Sequence, residues 1–205
     1  MKILELFAGS RSIGKAAERL GHEVFSSDVN DFEGIDYVTD ILDFDTKRVA
    51  FIPNVIWASP PCTSYSIAAI SHHRKDGIAT SDFAKKSDLM MLKIKDILEY
   101  YLSLNPNLIY YVENPRGMLR KMPFMSYYPI RHTVTYCQYG DSRMKPTDIW
   151  TNNLSWIPRK MCKNGEPCHI AAPRGSSTGT QGLKGNYERS KIPQELCEEI
   201  INKSN

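Results

Sequence analysis

The sequence predicts a doubly wound α/β fold built on a mostly parallel sheet, and three observations carry that expectation. The first 28 residues read strand, glycine turn, helix, strand, acidic residue, the opening of a βαβ unit. Strand-length apolar runs then keep alternating with helical or polar stretches as far as residue 151. The residues that follow those runs are Gly9, Asp28, Asp40, Cys62 and Glu113. In open α/β sheets the carboxyl ends of strands are where ligands bind, and these residue types suit a site.

Taken in order, Lys2–Phe7 is the first strand and Ala8-Gly9 its turn. Ser12 to Leu20 forms a helix that Gly21 stops. His22–Ser27 is a second strand ending at Asp28, and Asp36–Val38 a short third before Thr39-Asp40. Asn54–Ala58 is an apolar strand running into Ser59-Pro60-Pro61-Cys62. From Thr63 to Ser81 no period is visible, so a long loop is expected, of the length that usually has a function. Ser81 or Asp82 caps a helix through Leu104, with apolar residues at helical spacing, and Asn105-Pro106 breaks it. Leu108–Val112 is a buried-type strand ending at Glu113-Asn114-Pro115, while His132–Gln138 and Thr147–Thr151 are late strands able to pair. Pro158 to Gly185 is rich in Gly, Pro, Ser and basic residues, and Ile192 to Ile201 is a final helix with Pro193 in its first turn. The expected organisation is a catalytic domain over 1–151, a small irregular insertion over 152–186 and a helix packing back over 187–205.

Composition narrows the class. A chain of 205 residues with 41% hydrophobic and 24% charged residues holds one domain with a real core. A net charge of +3 neither demands nor excludes nucleic acid. The N-terminal apolar run is broken by Glu5 and too short for a leader, and no stretch approaches the ~18 apolar residues of a membrane span. No membrane partner and a cytoplasmic setting are expected. Five cysteines without a secretory signal argue against a disulfide framework.

Each candidate site has a plain alternative. The loop Phe7-Ala8-Gly9-Ser10 lets the backbone approach a ligand beside a helix N-terminus, and Asp28 offers acceptors to ribose hydroxyls. It lacks the three glycines of a pyrophosphate loop, which disfavours NAD, and a simple tight turn explains it as well. Cys62 sits on a turn stiffened by two prolines, a good place for a nucleophile, although most cysteines are small buried hydrophobes. Glu113 is costly at the end of an apolar strand unless it is exposed or partnered. His72-His73-Arg74-Lys75 is a basic run fit for phosphates or for plain solvation. Cys162, Cys168 and His169 lack an evident fourth ligand, so no metal is assigned.

Together and in this order, the motifs resemble the DNA cytosine carbon-5 methyltransferases. Leu6-Phe7-Ala8-Gly9 is similar to the family's first cofactor motif, and Pro61-Cys62-Thr63-Ser64-Tyr65-Ser66 to its Pro-Cys-x-x-aromatic-Ser motif. Glu113-Asn114 matches the start of Glu-Asn-Val, and Tyr139-Gly140 followed by Arg143 and Lys145 resembles the Tyr-Gly and Gln-x-Arg-x-Arg segment. The resemblance covers residues 2–150. It implies a Rossmann-like class I fold and S-adenosylmethionine as cofactor, held by Phe7, Ala8, Gly9, Ser10, Asp28, Val29, Asp40, Ile41 and Pro60. It implies catalysis by Cys62, Glu113, Ser66 and Arg143, and contacts to flipped-out double-stranded DNA from Asn114 and Lys145, while the basic run His72, His73, Arg74 and Lys75 is expected to meet its phosphates.

Departures are visible at Arg11 and Ser12, where the family has glycines, and at Thr63, Pro115, Arg143, Lys145 and Thr147. The region available for target recognition, about Asn152 to Gly185, is small. That suits a minimal enzyme of the phage or restriction-modification kind, working as a second-copy dimer or with an accessory recognition protein. Two other readings stand beside it. One is a weak or inactive protein of the same fold that binds cofactor and nucleic acid. The other is an amino-methyltransferase, which would place an aromatic residue where this sequence has Cys62. RNA is open as a substrate.

Overall fold

The computed structural model describes residues 1–171, 183 and 185–205. A seven-stranded sheet organises them: β1 (Lys2–Leu6), β2 (Glu23–Asp28), β3 (Tyr37–Val38), β4 (Val55–Ala58), β7 (Ile109–Pro115), β8 (Ile130–Thr135) and β9 (Pro146–Thr151) lie in the order β3-β2-β1-β4-β7-β9-β8. Neighbours from β3 to β7 are parallel, and β9 runs antiparallel to both β7 and β8. A separate two-residue hairpin joins β5 (Arg74–Lys75) to β6 (Ile78–Ala79). The expected doubly wound, mostly parallel sheet is what the chain forms.

The sheet is covered on both faces, which is why its central strands read as continuous apolar runs rather than alternating ones. Every residue of β4 is buried. One face packs against α3 (Asp82–Leu104) through Met91, Ile94, Ile97 and Leu98. The other packs against α1 (Ser12–Arg19) and α5 (Gln194–Asn202) through Ile13, Ala16, Leu196 and Ile200. Ser81 caps α3 as expected, its hydroxyl accepting from the Ala84 N–H at 3.1 Å. The final helix starts at Gln194, two residues later than its apolar pattern suggested, with Pro193 as its N-cap.

Several expectations are corrected. The stretch from Thr63 to Ser81 is not one open loop. It holds a 3-10 turn at Thr63–Tyr65, a single helical turn α2 (Ile70–His73) and the β5–β6 hairpin. Units this short leave no period to read. The late strand ends at Thr135, and Tyr136–Tyr139 is a 3-10 turn closed by Gly140 at φ 83°. Residues 152–171 carry no regular structure, and a five-residue helix α4 (Asn186–Ser190) precedes α5. Most of the remainder of the expected insertion lies outside the described residues. Among those described, no helix is long and apolar enough to cross a membrane.

Candidate active site

All four central strand ends empty into one cavity of about 750 Å³. Its floor at β1 is the turn Phe7-Ala8-Gly9-Ser10, where Phe7, Gly9 and Arg11 alternate in positive φ (55°, 48° and 54°). The left-handed position explains why glycine suits residue 11. Here an arginine accepts a cost of about 1 kcal/mol and is held by its own buried side chain, which donates from Nε to Ser26 Oγ at 3.0 Å and pairs with Glu18. Below the turn, Glu5 is 2% exposed. It accepts from the Ile13 and Gly14 N–H groups, each at 3.1 Å, so it caps α1 from inside the sheet. Burial pushes its carboxyl up to about 7, against the pull of Gly14 N–H and Arg11. The sequence marked Glu5 only as a break in an apolar run.

Asp28 ends β2 beside this turn. One carboxylate oxygen accepts from Gly9 N–H at 2.9 Å and the other from Asn30 N–H at 2.9 Å, which leaves lone pairs toward the cavity. Val29, Asn30 and Phe32 continue the wall, and the Tyr187 ring of α4 packs against that of Phe32 at a tilt of 51°, with centroids 5.4 Å apart. Across the cavity lie Ser59, Pro60, Pro61, Cys62, Thr63 and Ser66.

The turn carrying Cys62 is fixed from three sides. Asn114 Nδ2 donates to the Pro60 carbonyl at 2.9 Å, tying the end of β4 to β7. Tyr65 is buried, its hydroxyl donating to Asp88 at 2.7 Å. Arg74 lies over the Tyr65 ring at 4.5 Å, donates to the Ser64 carbonyl at 3.0 Å and grips Asp88 with both Nη atoms. Gly117 is required here, because a Cβ would stand 2.5 Å from the Tyr65 carbonyl oxygen. Cys62 itself is half-buried and opens into the cavity.

Glu113, near the end of β7, is 5% exposed and lines the same cavity. Tyr136 donates to its Oε1 at 3.2 Å, and Ser59, whose hydroxyl accepts from the Trp57 indole at 2.7 Å, stands beside it. Burial pushes Glu113 up, while the Lys145 ammonium pulls it down, with a net rise. Cys62 is also pushed up, first by burial and then by the neighbouring Glu113 charge; Lys145 and Arg189 oppose this. Lys145 is 7% exposed, sits 4.6 Å over the Tyr136 ring, donates to the Arg189 carbonyl at 3.1 Å and is pushed down by burial. A thiol, a carboxyl and an ammonium are therefore mutually coupled in one corner of the cavity.

Not every expected residue joins them. Arg143 does not face the cavity: it holds Asp141 with two nitrogens and donates to the Arg189 and Lys191 carbonyls at 3.4 and 3.2 Å, so its role is to anchor α4. The cation at the thiol is Lys145, which the resemblance had placed on nucleic acid. Asp40 caps a 3-10 turn by accepting from Leu42 N–H at 3.1 Å and pairs with Lys86 at 2.6 Å, while Ile41 is in the core; neither lines the cavity. Arg74 and Asn114 are buried structural ties rather than surface contacts, and His73 Nδ1 is bonded to Ser81 Oγ at 2.9 Å. Of the basic run, His72 and Lys75 remain exposed. Residues that the sequence did not flag, Arg116 and Arg189, do line the cavity.

A mostly parallel sheet with one late antiparallel strand, and a cysteine, an acid and a cation at its carboxyl edge, is the Rossmann-like arrangement of the class I methyltransferase fold. Solved structures agree on the fold. A methyltransferase of Entamoeba histolytica, EhMeth, superposes with a TM-score of 0.56 at 14% identity, over 80% of this chain and 57% of that one. An E. coli prophage-encoded protein, described as a DNA modification methyltransferase, gives 0.52 at 14% identity over 99% and 69%. The Spodoptera frugiperda DNMT2 gives 0.50 at 19% identity over 78% and 52%, so the chain spans little more than half of two of these three. In sequence, a frog virus 3 (isolate Goorha) protein named as a probable DNA (cytosine-5)-methyltransferase is 29% identical over 98% of this chain and 99% of its own length. No protein-family model matches the chain. The motif resemblance and this end-to-end similarity point to the same family, the DNA cytosine-5 methyltransferases.

Proposed function

We propose that this chain transfers a methyl group from S-adenosylmethionine to carbon 5 of cytosine in DNA, with Cys62 as the nucleophile. One observation carries the reading: Cys62, Glu113 and Lys145 meet in the same cavity as the Phe7–Ser10 turn and Asp28. The residues fit the donor. Asp28 keeps acceptors for ribose hydroxyls, and exposed Val29 with Phe32 offers an apolar face to an adenine. When bound, the donor supplies an electrophilic methyl group.

The chain's own residues then act on a cytosine brought out of its stack. The Cys62 thiolate forms a bond to ring carbon 6, and the displaced electron density moves toward carbon 5 and ring nitrogen 3. Glu113, whose carboxyl burial pushes up so that its protonated form is favoured, donates its proton at nitrogen 3. Protonated Glu113 carries no charge to oppose the Cys62 thiolate, and Lys145 stabilises that thiolate. After carbon 5 has taken the methyl group it loses its proton to solvent, sulfur leaves as thiolate, and the proton on nitrogen 3 returns to Glu113.

DNA containing 5-fluorocytosine tests the reading directly, because it traps the sulfur–carbon adduct. The expected results are an adduct on Cys62 by mass spectrometry, none in Cys62→Ser, and cofactor binding unchanged in that variant. Glu113→Gln should slow transfer by about 10²–10³-fold. Methylation by Cys62→Ser would overturn the assignment, and cofactor and DNA binding without turnover in the parent would favour the inactive binding protein.

A further inference from the structure

We propose that Cys137, Cys162, Cys168 and His169 bind one zinc ion as a closed structural site. The three cysteines come from two distant parts of the chain. Cys137 lies in the 3-10 turn that follows β8, and the other ligands in the irregular segment after β9. Folding the β8–β9 hairpin brings them together: all four ligand atoms lie within 4.8 Å of one another. Cys162 Sγ is 3.0 Å from Cys168 Sγ and 3.3 Å from His169 Nδ1. Cys168 Sγ is 3.7 Å from both Cys137 Sγ and His169 Nδ1. Tetrahedral zinc, with Zn–S ~2.3 Å and Zn–N ~2.0 Å, sets ligands about 3.8 Å apart for two sulfurs and about 3.5 Å for sulfur and nitrogen. The separations in the cluster, from 3.0 Å to no more than 4.8 Å, bracket those values.

The donor chemistry selects the metal. Three thiols and an imidazole are soft and borderline ligands that suit zinc, and four protein ligands leave no open position for substrate. Three thiols converging on one imidazole is also more than a disulfide requires. An S–S bond needs about 2.05 Å and would use two sulfurs only, leaving a third thiol and the imidazole facing it without purpose. Outer contacts are in place. Gln138 Nε2 donates to Cys168 Sγ at 3.5 Å, and the Cys162 N–H donates to Thr135 Oγ1 at 2.9 Å.

The site has work to do in this chain. Residues 158–171 have no regular structure, and Ile157 and Ile170 are exposed, so apolar packing does little to hold them. A metal would replace that missing core as a cross-link between the insertion and the turn after β8. Binding displaces the thiol protons to solvent and leaves three thiolates and a neutral imidazole on the ion.

The test is metal analysis of the full chain expressed with zinc and purified under reducing conditions, which needs no methylation activity and so stands apart from the proposed function. The expected content is about one zinc per chain. Cobalt exchange should give the visible absorption of a tetrahedral centre together with thiolate charge-transfer bands. Cys168→Ser and His169→Ala, at solvent-accessible positions, should fold and lose both the metal and that spectrum, while Cys62→Ser should keep them. Metal-free parent protein after zinc loading, a Cys162–Cys168 disulfide in the protein as isolated, or a Cys168→Ser/His169→Ala double variant that retains zinc would each overturn the site.

Discussion

Glu5 makes the stability of this protein fall as pH rises, and the size of the effect follows from its surroundings. Its carboxyl is 2% exposed and titrates near 7 in the folded chain instead of at its usual 4.5. A carboxyl that titrates higher when folded holds its proton more tightly in the folded state. Its stabilising share is therefore complete below pH 4.5 and lost as pH rises through 7. At ~1.36 kcal/mol per pH unit, the move from 4.5 to about 7 amounts to about 3 kcal/mol. Other groups titrate over the same range, so the comparison is with Glu5→Gln, which cannot titrate. That amide can accept from only one of the two N–H groups that Glu5 now caps, at Ile13 and Gly14, so at pH 4.5, where folded Glu5 is protonated, the variant is less stable than the parent by about 1–3 kcal/mol, a gap that narrows as pH rises. Urea unfolding between pH 4.5 and 8 reads the difference: the parent should lose about 3 kcal/mol more across that range than the variant. Parallel profiles would refute the argument, because they would mean that Glu5 titrates alike in the folded and unfolded chain.

Three further outcomes are expected. Lys145→Met removes the cation that favours the Cys62 thiolate, so kcat should fall about 10²–10³-fold and the pH optimum should move upward; an unmoved optimum in a kcat–pH profile would contradict the coupling. Arg74→Ala breaks a buried bidentate ion pair with Asp88 and should cost about 3 kcal/mol, measured by denaturant unfolding, with no change in the salt dependence of DNA binding; a shallower salt slope would return Arg74 to the phosphates. Arg143→Gln frees the Arg189 and Lys191 carbonyls, so amide exchange should quicken across α4 while kcat falls less than in Lys145→Met; an equal fall would put Arg143 at the reacting atoms.

Much of this site was legible because its chemistry sits at strand ends, and strand ends are where apolar runs stop. Cys62 and Glu113 could be found that way, and so could the turn at Phe7–Ser10. Burial was not legible. Arg74 reads as one member of a basic run, yet its partner Asp88 is 14 residues away on α3 and turns the charge inward. Choosing between Arg143 and Lys145 depended on where the backbone turns after Gly140, which no side-chain pattern reports. Asp40 was a capping residue whose Asp-Ile-Leu-Asp context fits a helix start as well as a ligand contact. Cys137 joined Cys162 and Cys168 only through the hairpin that closes the sequence gap between them. Glu5 was visible as a charge inside a strand, an oddity that signals a buried partner set.

The antiparallel return of β9 has a consequence for a chain this small. Because Pro115 at the end of β7 faces Thr147, and Thr135 at the end of β8 faces Pro146, the ten residues from Tyr136 to Lys145 must lie at the carboxyl edge of the sheet, directly over Glu113. Tyr136 holds Glu113 by its hydroxyl, and Lys145 faces the thiol. Between them Cys137 belongs to the four-ligand cluster and Arg143 anchors α4, which brings Tyr187 and Arg189 to the cavity wall. Larger proteins can hold their recognition and catalytic parts with separate cores. Here one short connector touches the insertion, the acid, the cation and the wall of the cavity, so a change in how the insertion is seated reaches the reacting groups through a single packed segment.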